Sequence, residues 1–432
     1  MAGGPDFDVI SSGRDPDRRR LVPGRLLAMA AAVLIGGGLA VHLILSGSGR
    51  PPRHQARSSP SPIVVAAPWM LHGTPLRPGD TPRTLLFLGG DELRLLDVGQ
   101  RPRASLTTVE PAAGQAADPL GPGPAVHQVT SVAGGVVALI FSHGQGGLPD
   151  IGDVVFIPVG ASGAGAPRII ARANYMALAP NHRDIWVEQA GPPWGNGPKD
   201  SPLWLVDEAG HRLSRARGLP GRVLVAATIR GLLVQGPVGK IALVDPATGS
   251  AGPARIPGNA IIAGADADHV AWQSASCTHR CPLHITDLRG GPGAQIDLPP
   301  HTALDPGDTP DFDPAGQRFA LPLDATDHQG SATGSYVYVA DLAQRTLTRV
   351  PGGPVALAAL PAVPGAFPAG SPDVVSARWA IGEPGLWIVA TDGLYLQVAY
   401  WAGTGPLQVL PPQAGLAYKF GVPGASTPGQ RR

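Results

Sequence analysis

Side chains able to do chemistry are densest in Cys277-Thr-His-Arg-Cys-Pro-Leu-His284, where two thiols and two imidazoles fall within eight residues. Soft sulfur and borderline nitrogen both suit zinc, so a zinc site is one reading of this stretch. C-x3-C followed by one close histidine is not a finger spacing, however, and the stretch lies in a turn between Trp272 and Ile285. In an oxidising compartment the simpler outcome is a Cys277–Cys281 disulfide that pins a long turn, and that pairing is expected. A second cluster, Asp305, Asp308, Asp311 and Asp313 in LDPGDTPDFDPAG, offers the oxygens that calcium needs. It lacks the EF-hand order, and Asp before Pro or Gly ordinarily forms a turn. Neither a metal nor a cofactor is expected.

Signatures of turnover are absent. GASGAG at Gly160–Gly165 places Ala164 where a nucleophile elbow needs its last glycine. There is no H-E-x-x-H, no phosphate-binding G-x-x-x-x-G-K-[ST], and no dinucleotide-binding glycine pattern between strand and helix. No catalytic residue is assigned. Single histidines such as His127, His143, His182 and His211 lie in or beside turns and are expected at the surface. The remaining clue is exposed polar and aromatic side chains on long connections: Trp194, Asn196 and Lys199 in GPPWGNGPKD, His143 in the connection 142–152, and His328 in the connection 324–335. These five are the expected interaction-face residues, because aromatics and polar groups on loops suit recognition.

The elements that must position these residues repeat. In GLLVQGPVGKIALVDPATG, Gly231 to Gly249, an apolar run meets a Gly/Pro turn, then a second apolar run stops at Asp245 and another turn. That is a β-hairpin with a marked exit. The layout recurs with exits at Asp97, Pro158, Asp207, Asp245, Asp287, Asp341 and Val398, about 50 residues apart on average, the period of a propeller blade. The recurring aspartates read as turn formers rather than a functional ring, since they fall after a strand and before a turn in every unit.

Short apolar segments flank each hairpin. Before it come Val126–Val132, Tyr175–Ala179, Arg222–Thr228, Ala260–Ala265, Val374–Ala380 and a weaker Asp311–Pro314. After it come Ala104–Val109, Arg168–Ala171, Arg212–Arg215, Ala254–Pro257, Ala294–Leu298, Leu347–Val350 and Leu407–Leu410. Four strands per unit make a blade, and the small residues of VLVAAT, AIIAGA and YMALA suit the crowded axis. Apart from Asp311 and Asp313 the inner strands read as apolar. For ring closure, Ile63–Ala67 competes with Leu416–Val422.

Two of these segments carry a family resemblance. TPDFDPAGQRFALPL (Thr309 to Leu323) and MALAPNHRDIWV (Met176 to Val187) resemble the P-D-G turn of TolB-like and WD40-like bacterial β-propellers, and VDPATG and TDLRGG resemble their blade exits. The likeness covers about residues 63–411 and departs from pattern at Asn181-His182, where Asp-Gly is usual. It implies an all-β propeller and hardly bears on function.

Gly and Pro make up 59 and 49 of 432 residues, yet 43% of the chain is hydrophobic, so the turn formers punctuate many short strands. Only 15% is charged and the net charge is +1, which gives no case for a nucleic-acid surface. Of the 33 basic and 32 acidic residues, 8 and 4 lie within residues 1–62, leaving 25 against 28 for the rest.

Residues 1–25 are polar and read as a disordered cytoplasmic tail. LLAMAAAVLIGGGLAVHLIL, residues 26–45, holds no charge and at about 1.5 Å per residue spans roughly 30 Å, a transmembrane helix. Five arginines before it and three close behind favour the N-terminus inside. A cleaved signal peptide is the competing reading, with a shorter apolar core and a small-residue site after it. Residues 46–62 are a Pro/Ser/Arg-rich linker, 63–422 an extracytoplasmic propeller of about seven four-stranded blades, and 423–432 a disordered tail.

The expected function is a non-enzymatic protein-interaction or recognition module at the cell envelope, engaging an envelope protein or a cell-wall component. A small-molecule or saccharide sensor using the channel is one alternative, and a propeller hydrolase or lyase another.

Overall fold

The computed structural model describes residues between Leu71 and Pro423, apart from 78–83, 90–92, 99–104, 109–124, 142–150, 161–162, 190–201, 218–221, 237–240, 275–280, 305–310, 327–331, 353–373, 381–384, 392–394 and 415–418. The expected tail 1–25, the segment 26–45 expected to cross a membrane, the expected linker 46–62, Ile63–Ala67 and all of the expected tail 423–432 but Pro423 lie outside the described residues. Among the described residues no helix is long and apolar enough to cross a membrane.

Seven antiparallel sheets follow one another along the chain. Blade 2 runs Ala125–Val132, Gly135–Phe141, Gly152–Gly160 and Arg168–Ala173 from the axis outward, with Gly163–Ala164 as a short side pairing. Blade 3 is Tyr175–Leu178, Ile185–Glu188, Pro202–Val206 and Arg212–Arg217. Blade 4 is Val223–Thr228, Gly231–Gln235, Ile241–Val244 and Ala251–Pro253, and blade 5 is Ala260–Ala265, His269–Ser274, Leu283–Asp287 and Ala294–Ile296. In blade 6 the inner strand is split, Thr302–Ala303 and Asp311–Phe312 both pairing with Arg318–Thr326, followed by Ala332–Asp341 and Thr346–Arg349. Blade 7 is Val374–Trp379, Leu386–Thr391, Tyr395–Trp401 and Gln408–Val409.

Blade 1 closes the ring. Its inner strand, Lys419–Gly421, comes from the far end of the chain and pairs with Thr84–Gly89, which continues into Leu93–Val98 and Ser105–Thr108. Phe420 is fully buried there, and Val422 N donates to Ser131 Oγ of blade 2 at 2.9 Å. Of the two segments expected to compete for closure, the C-terminal one takes the axis. At the opposite edge, Thr74–Pro75 runs parallel to Gln408–Val409, adding a further strand to the rim of blade 7.

Period-two alternation explains the packing. Successive residues of a strand face opposite sides of the sheet, so a blade wedged between two others buries both faces and its second strand reads as an unbroken apolar run. Leu86 and Leu88 pack toward blade 7, whereas Leu85 and Phe87 pack toward blade 2. The buried apolar side chains separate into seven clusters, each shared by two adjacent blades, including the junction of blades 7 and 1. A cluster at every junction is the signature of a closed seven-bladed ring.

Most boundaries move by one or two residues from the sequence expectation, and two differences are larger. The outer strand of blade 4 is Ala251–Pro253 rather than Ala254–Pro257; Ala254 and Ile256 are buried beyond its end, in the junction with blade 5. The connection expected over 324–335 is largely strand, because the pairing continues through Asp324↔Ser335, where Ser335 Oγ donates to Asp324.

Candidate functional site

Each blade is an antiparallel meander, so the turns after its first and third strands share one face of the ring and the connections after its second strand share the other. The long connections singled out in sequence follow second strands of blades 2, 3 and 6, and their described ends therefore open on one face. His143, Trp194, Asn196, Lys199 and His328 themselves lie outside the described residues, as do Asp305, Asp308 and Cys277. Cys281 is described, and its carbonyl accepts a bond from Gln273 Nε2 at 2.9 Å; among the described residues no cysteine is free. His284 stacks on Trp272 at 4.3 Å between ring centroids, so this imidazole packs across the hairpin. Among the described residues no group of three or more His, Cys, Asp or Glu is placed to hold a metal.

The turns behave as their residue types dictate. Asp207 Oδ1 accepts the N–H groups of Ala209 and His211, Asp245 Oδ1 that of Ala247, Asp287 Oδ1 that of Arg289, and Asp341 Oδ1 that of Gln344, all within 2.7–2.9 Å. At Asn181-His182, Asn181 Oδ1 accepts from Arg183 and Asp184, and His182 takes φ 53°, the left-handed conformation that glycine usually supplies.

On the face of the first-strand turns, the central channel widens into a cavity of about 860 Å³. Its walls are small residues of the inner strands, among them Ala177, Ala226, Ala263 and Gly264, as the crowding at the axis requires. Its mouth is charged: Asp266, Asp268, Asp287, Asp311 and Asp313 face it together with His269, Arg289 and Arg378. The inner strands were expected to be apolar apart from Asp311 and Asp313. Arg378 corrects that for blade 7, and the other charges come from turns whose aspartates read singly as turn formers.

These groups bind one another. Asp266 Oδ1 accepts from the N–H of Asp268 at 2.7 Å and of His269 at 2.6 Å, and its Oδ2 lies 3.3 Å from His269 Nδ1. That bond raises the imidazole above its ordinary value against the opposing effect of burial, with further help from Asp287 and Asp268. The His269 ring stacks on Phe312 at 5.6 Å, and Gly316, at φ 63°, leaves it room. Arg289 grips Asp268 with Nε at 2.8 Å and a terminal nitrogen at 2.6 Å. Asp313 accepts from Gln317 N, Arg318 N and Arg318 Nε, while the Arg318 guanidinium lies 4.3 Å above Trp379.

Asp311 and Arg378 pair across blades 6 and 7, 3.6 Å apart, with Asp311 Oδ2 also accepting Trp379 N at 3.0 Å. Protein surrounds Asp311 although 31% of its side chain remains accessible from the channel, and burial pushes its carboxyl up to about 6, against the pull of Arg378. Burial likewise lowers Arg378. Toward the opposite face, Glu188 at the end of blade 3's second strand is 1% exposed; its Oε2 accepts Leu224 N of blade 4 at 2.6 Å, and burial pushes its carboxyl up to about 7.

Chemically, the mouth offers fixed charges and dipoles around a hollow. Its carboxylates are engaged by backbone N–H groups and guanidinium groups, and among the described residues no hydroxyl or thiol is hydrogen-bonded to His269.

No family model and no curated protein matches the chain. Solved structures do. TolB from Acinetobacter baumannii matches at 14% identity and a TM-score of 0.38, over 63% of this chain and 66% of that one. The Pseudomonas aeruginosa periplasmic gluconolactonase matches at 11% identity and a TM-score of 0.43, over 78% of this chain and 100% of that one. A prolyl endopeptidase structure matches at 11% identity and a TM-score of 0.38, over 68% of this chain and 43% of that one. At such identities the likeness concerns fold alone, and the matched proteins include both enzymes and TolB.

Proposed function

We propose that this chain is a non-enzymatic recognition module: a propeller held outside the cytoplasm by one membrane-spanning helix, which engages an envelope protein or a cell-wall component at the mouth of its channel. The observation that supports it is the state of the charges there. Catalysis needs an acid, base or nucleophile held ready for substrate. The carboxylates at this mouth are instead engaged by backbone N–H groups, by His269 and by arginines, with Asp268–Arg289 joining two turns of blade 5 and Asp311–Arg378 joining blades 6 and 7. This leaves a charge-patterned concavity suited to complementary binding.

The second reading, a small-molecule or saccharide sensor, is favoured by the cavity's size, since about 860 Å³ falls within the range of small-ligand sites. A Cys277–Cys281 disulfide belongs to the same proposal, because display outside the cytoplasm is what would let two cysteines four residues apart in sequence remain oxidised. Intact-mass analysis with and without reductant reads it directly: a gain of two hydrogens on reduction is expected, and none contradicts it.

The test separates the two faces. Ala267→Arg fills the mouth without removing any of the charged pairs, and Trp194→Arg alters the long-connection face. Capture of the partner from membranes should fall about ten-fold with the first substitution and persist with the second. Loss only with Trp194→Arg, or with neither, overturns the assignment to the mouth; a thermal shift with sugars or metabolites that Ala267→Arg abolishes moves the conclusion to the sensor.

A further inference from the structure

The rim of blades 2 and 3 carries a second surface that the channel does not use. Their outermost strands, RIIARA at Arg168–Ala173 and RLSRAR at Arg212–Arg217, each pair on one side only among the described residues. Arg168, Arg172, Arg212 and Arg215 are exposed on them, and so are Ile169 at 46% and Leu213 at 51%.

Rings hold three of these arginines. The guanidinium groups of Arg212 and Arg215 lie 4.2 and 5.2 Å from the Trp204 ring centroid, and Arg168 lies 4.8 Å from that of Phe156. Stacking fixes a guanidinium and leaves N–H groups for an anion. Arg168 Nε donates to Glu208 O at 2.9 Å, so for this arginine the terminal nitrogens are the ones offered. The nearby acids are taken by other arginines or by a histidine: Asp153 by Arg172, Glu208 by Arg183, and Asp207 by His211. Among the described residues neither Arg212 nor Arg215 meets a carboxylate.

We propose that this rim rests on an anionic lipid surface, with arginines 168, 212 and 215 on headgroup phosphates and Ile169 and Leu213 in the interfacial layer. An acidic polypeptide would satisfy the arginines alone. Exposed aliphatic side chains interleaved with arginine favour the lipid, because interfacial binding combines apolar insertion with attraction to anionic headgroups. The inference leans on the anchored reading above, which would keep the rim within reach of a bilayer.

The test uses the full chain reconstituted in vesicles of phosphatidylcholine alone or mixed with phosphatidylglycerol. A photoreactive diazirine amino acid stands at position 213 or at position 261, whose isoleucine is equally exposed, 51%, on blade 5. Position 213 should capture about five-fold more phospholipid than 261, only in the anionic vesicles, and Arg212→Glu with Arg215→Glu should remove the excess. Equal capture at both positions, indifference to phosphatidylglycerol, or a polypeptide captured at 213 in cell membranes overturns the proposal. Carbonate extraction reads the anchor by itself. A chain released by carbonate overturns the anchored reading, and cosedimentation of that released chain with the same two vesicles still decides the rim: binding to the anionic vesicles alone supports it, and binding to neither or to both overturns it.

Discussion

Glu188 shows how one side chain sets a pH dependence. It is buried between blades 3 and 4, bonded to Leu224 N, and its carboxyl is pushed up to about 7 from an ordinary 4.5. The folded chain thus holds this proton more tightly than the unfolded chain. The resulting stability is complete below about 4.5 and is lost as pH rises through 7, by roughly 3 kcal/mol at most. Glu188→Gln keeps an oxygen for Leu224 N without the charge. Denaturant unfolding should find the variant matched to the parent at pH 4.5 and more stable at pH 8; equal stability at both would show that the carboxyl is not desolvated as described. The turn aspartates were legible in sequence because their bonds are local, two to four residues away. Asp311 with Arg378, and Asp268 with Arg289, were not, since 67 and 21 residues separate the partners; the ring brings the first pair together across blades 6 and 7, and the folding of blade 5 the second.

Two segments, one preceding blade 1 and one following blade 7 in sequence, hold adjacent blades. Around Leu71–Leu76, His72 N donates to Gly352 O, Thr74 N to Leu407 O and Leu76 N to Val409 O, each at 2.8–2.9 Å. Gly352 has φ 77°, and a Cβ there would overlap the His72 carbonyl. Gly352→Ala should therefore lower stability by about 1–3 kcal/mol through the N-terminal strap, measured by thermal unfolding; an unchanged Tm would mean that the strap contributes little. At the axis, Phe420 is fully buried in the junction of blades 7 and 1. Phe420→Ala should cost about 3–5 kcal/mol and raise hydrogen exchange first along Thr84–Gly89. Exchange that rises uniformly would contradict a closure held at this junction. Most strands could be read from apolar runs, because two-sided burial leaves that pattern in sequence. The two-residue strands Thr74–Pro75 and Thr302–Ala303 could not, having too few residues for any periodicity.

For the whole molecule, the repeat of about 50 residues foretold seven blades, and the seven junction clusters realise them. The polar channel mouth was hidden for the same reason that the fold was visible: each blade was read by its likeness to the others, whereas the mouth is made where blades differ. Function at this scale rests on whether that mouth meets a partner outside the cytoplasm. The measurement that addresses this most directly places a photoreactive amino acid at position 267 of the full chain in living cells and identifies what it captures. One polypeptide or cell-wall fragment from the extracytoplasmic side is expected, captured in near-stoichiometric yield. Capture of cytosolic proteins, or of nothing while the purified chain turns over a substrate in its channel, would contradict it.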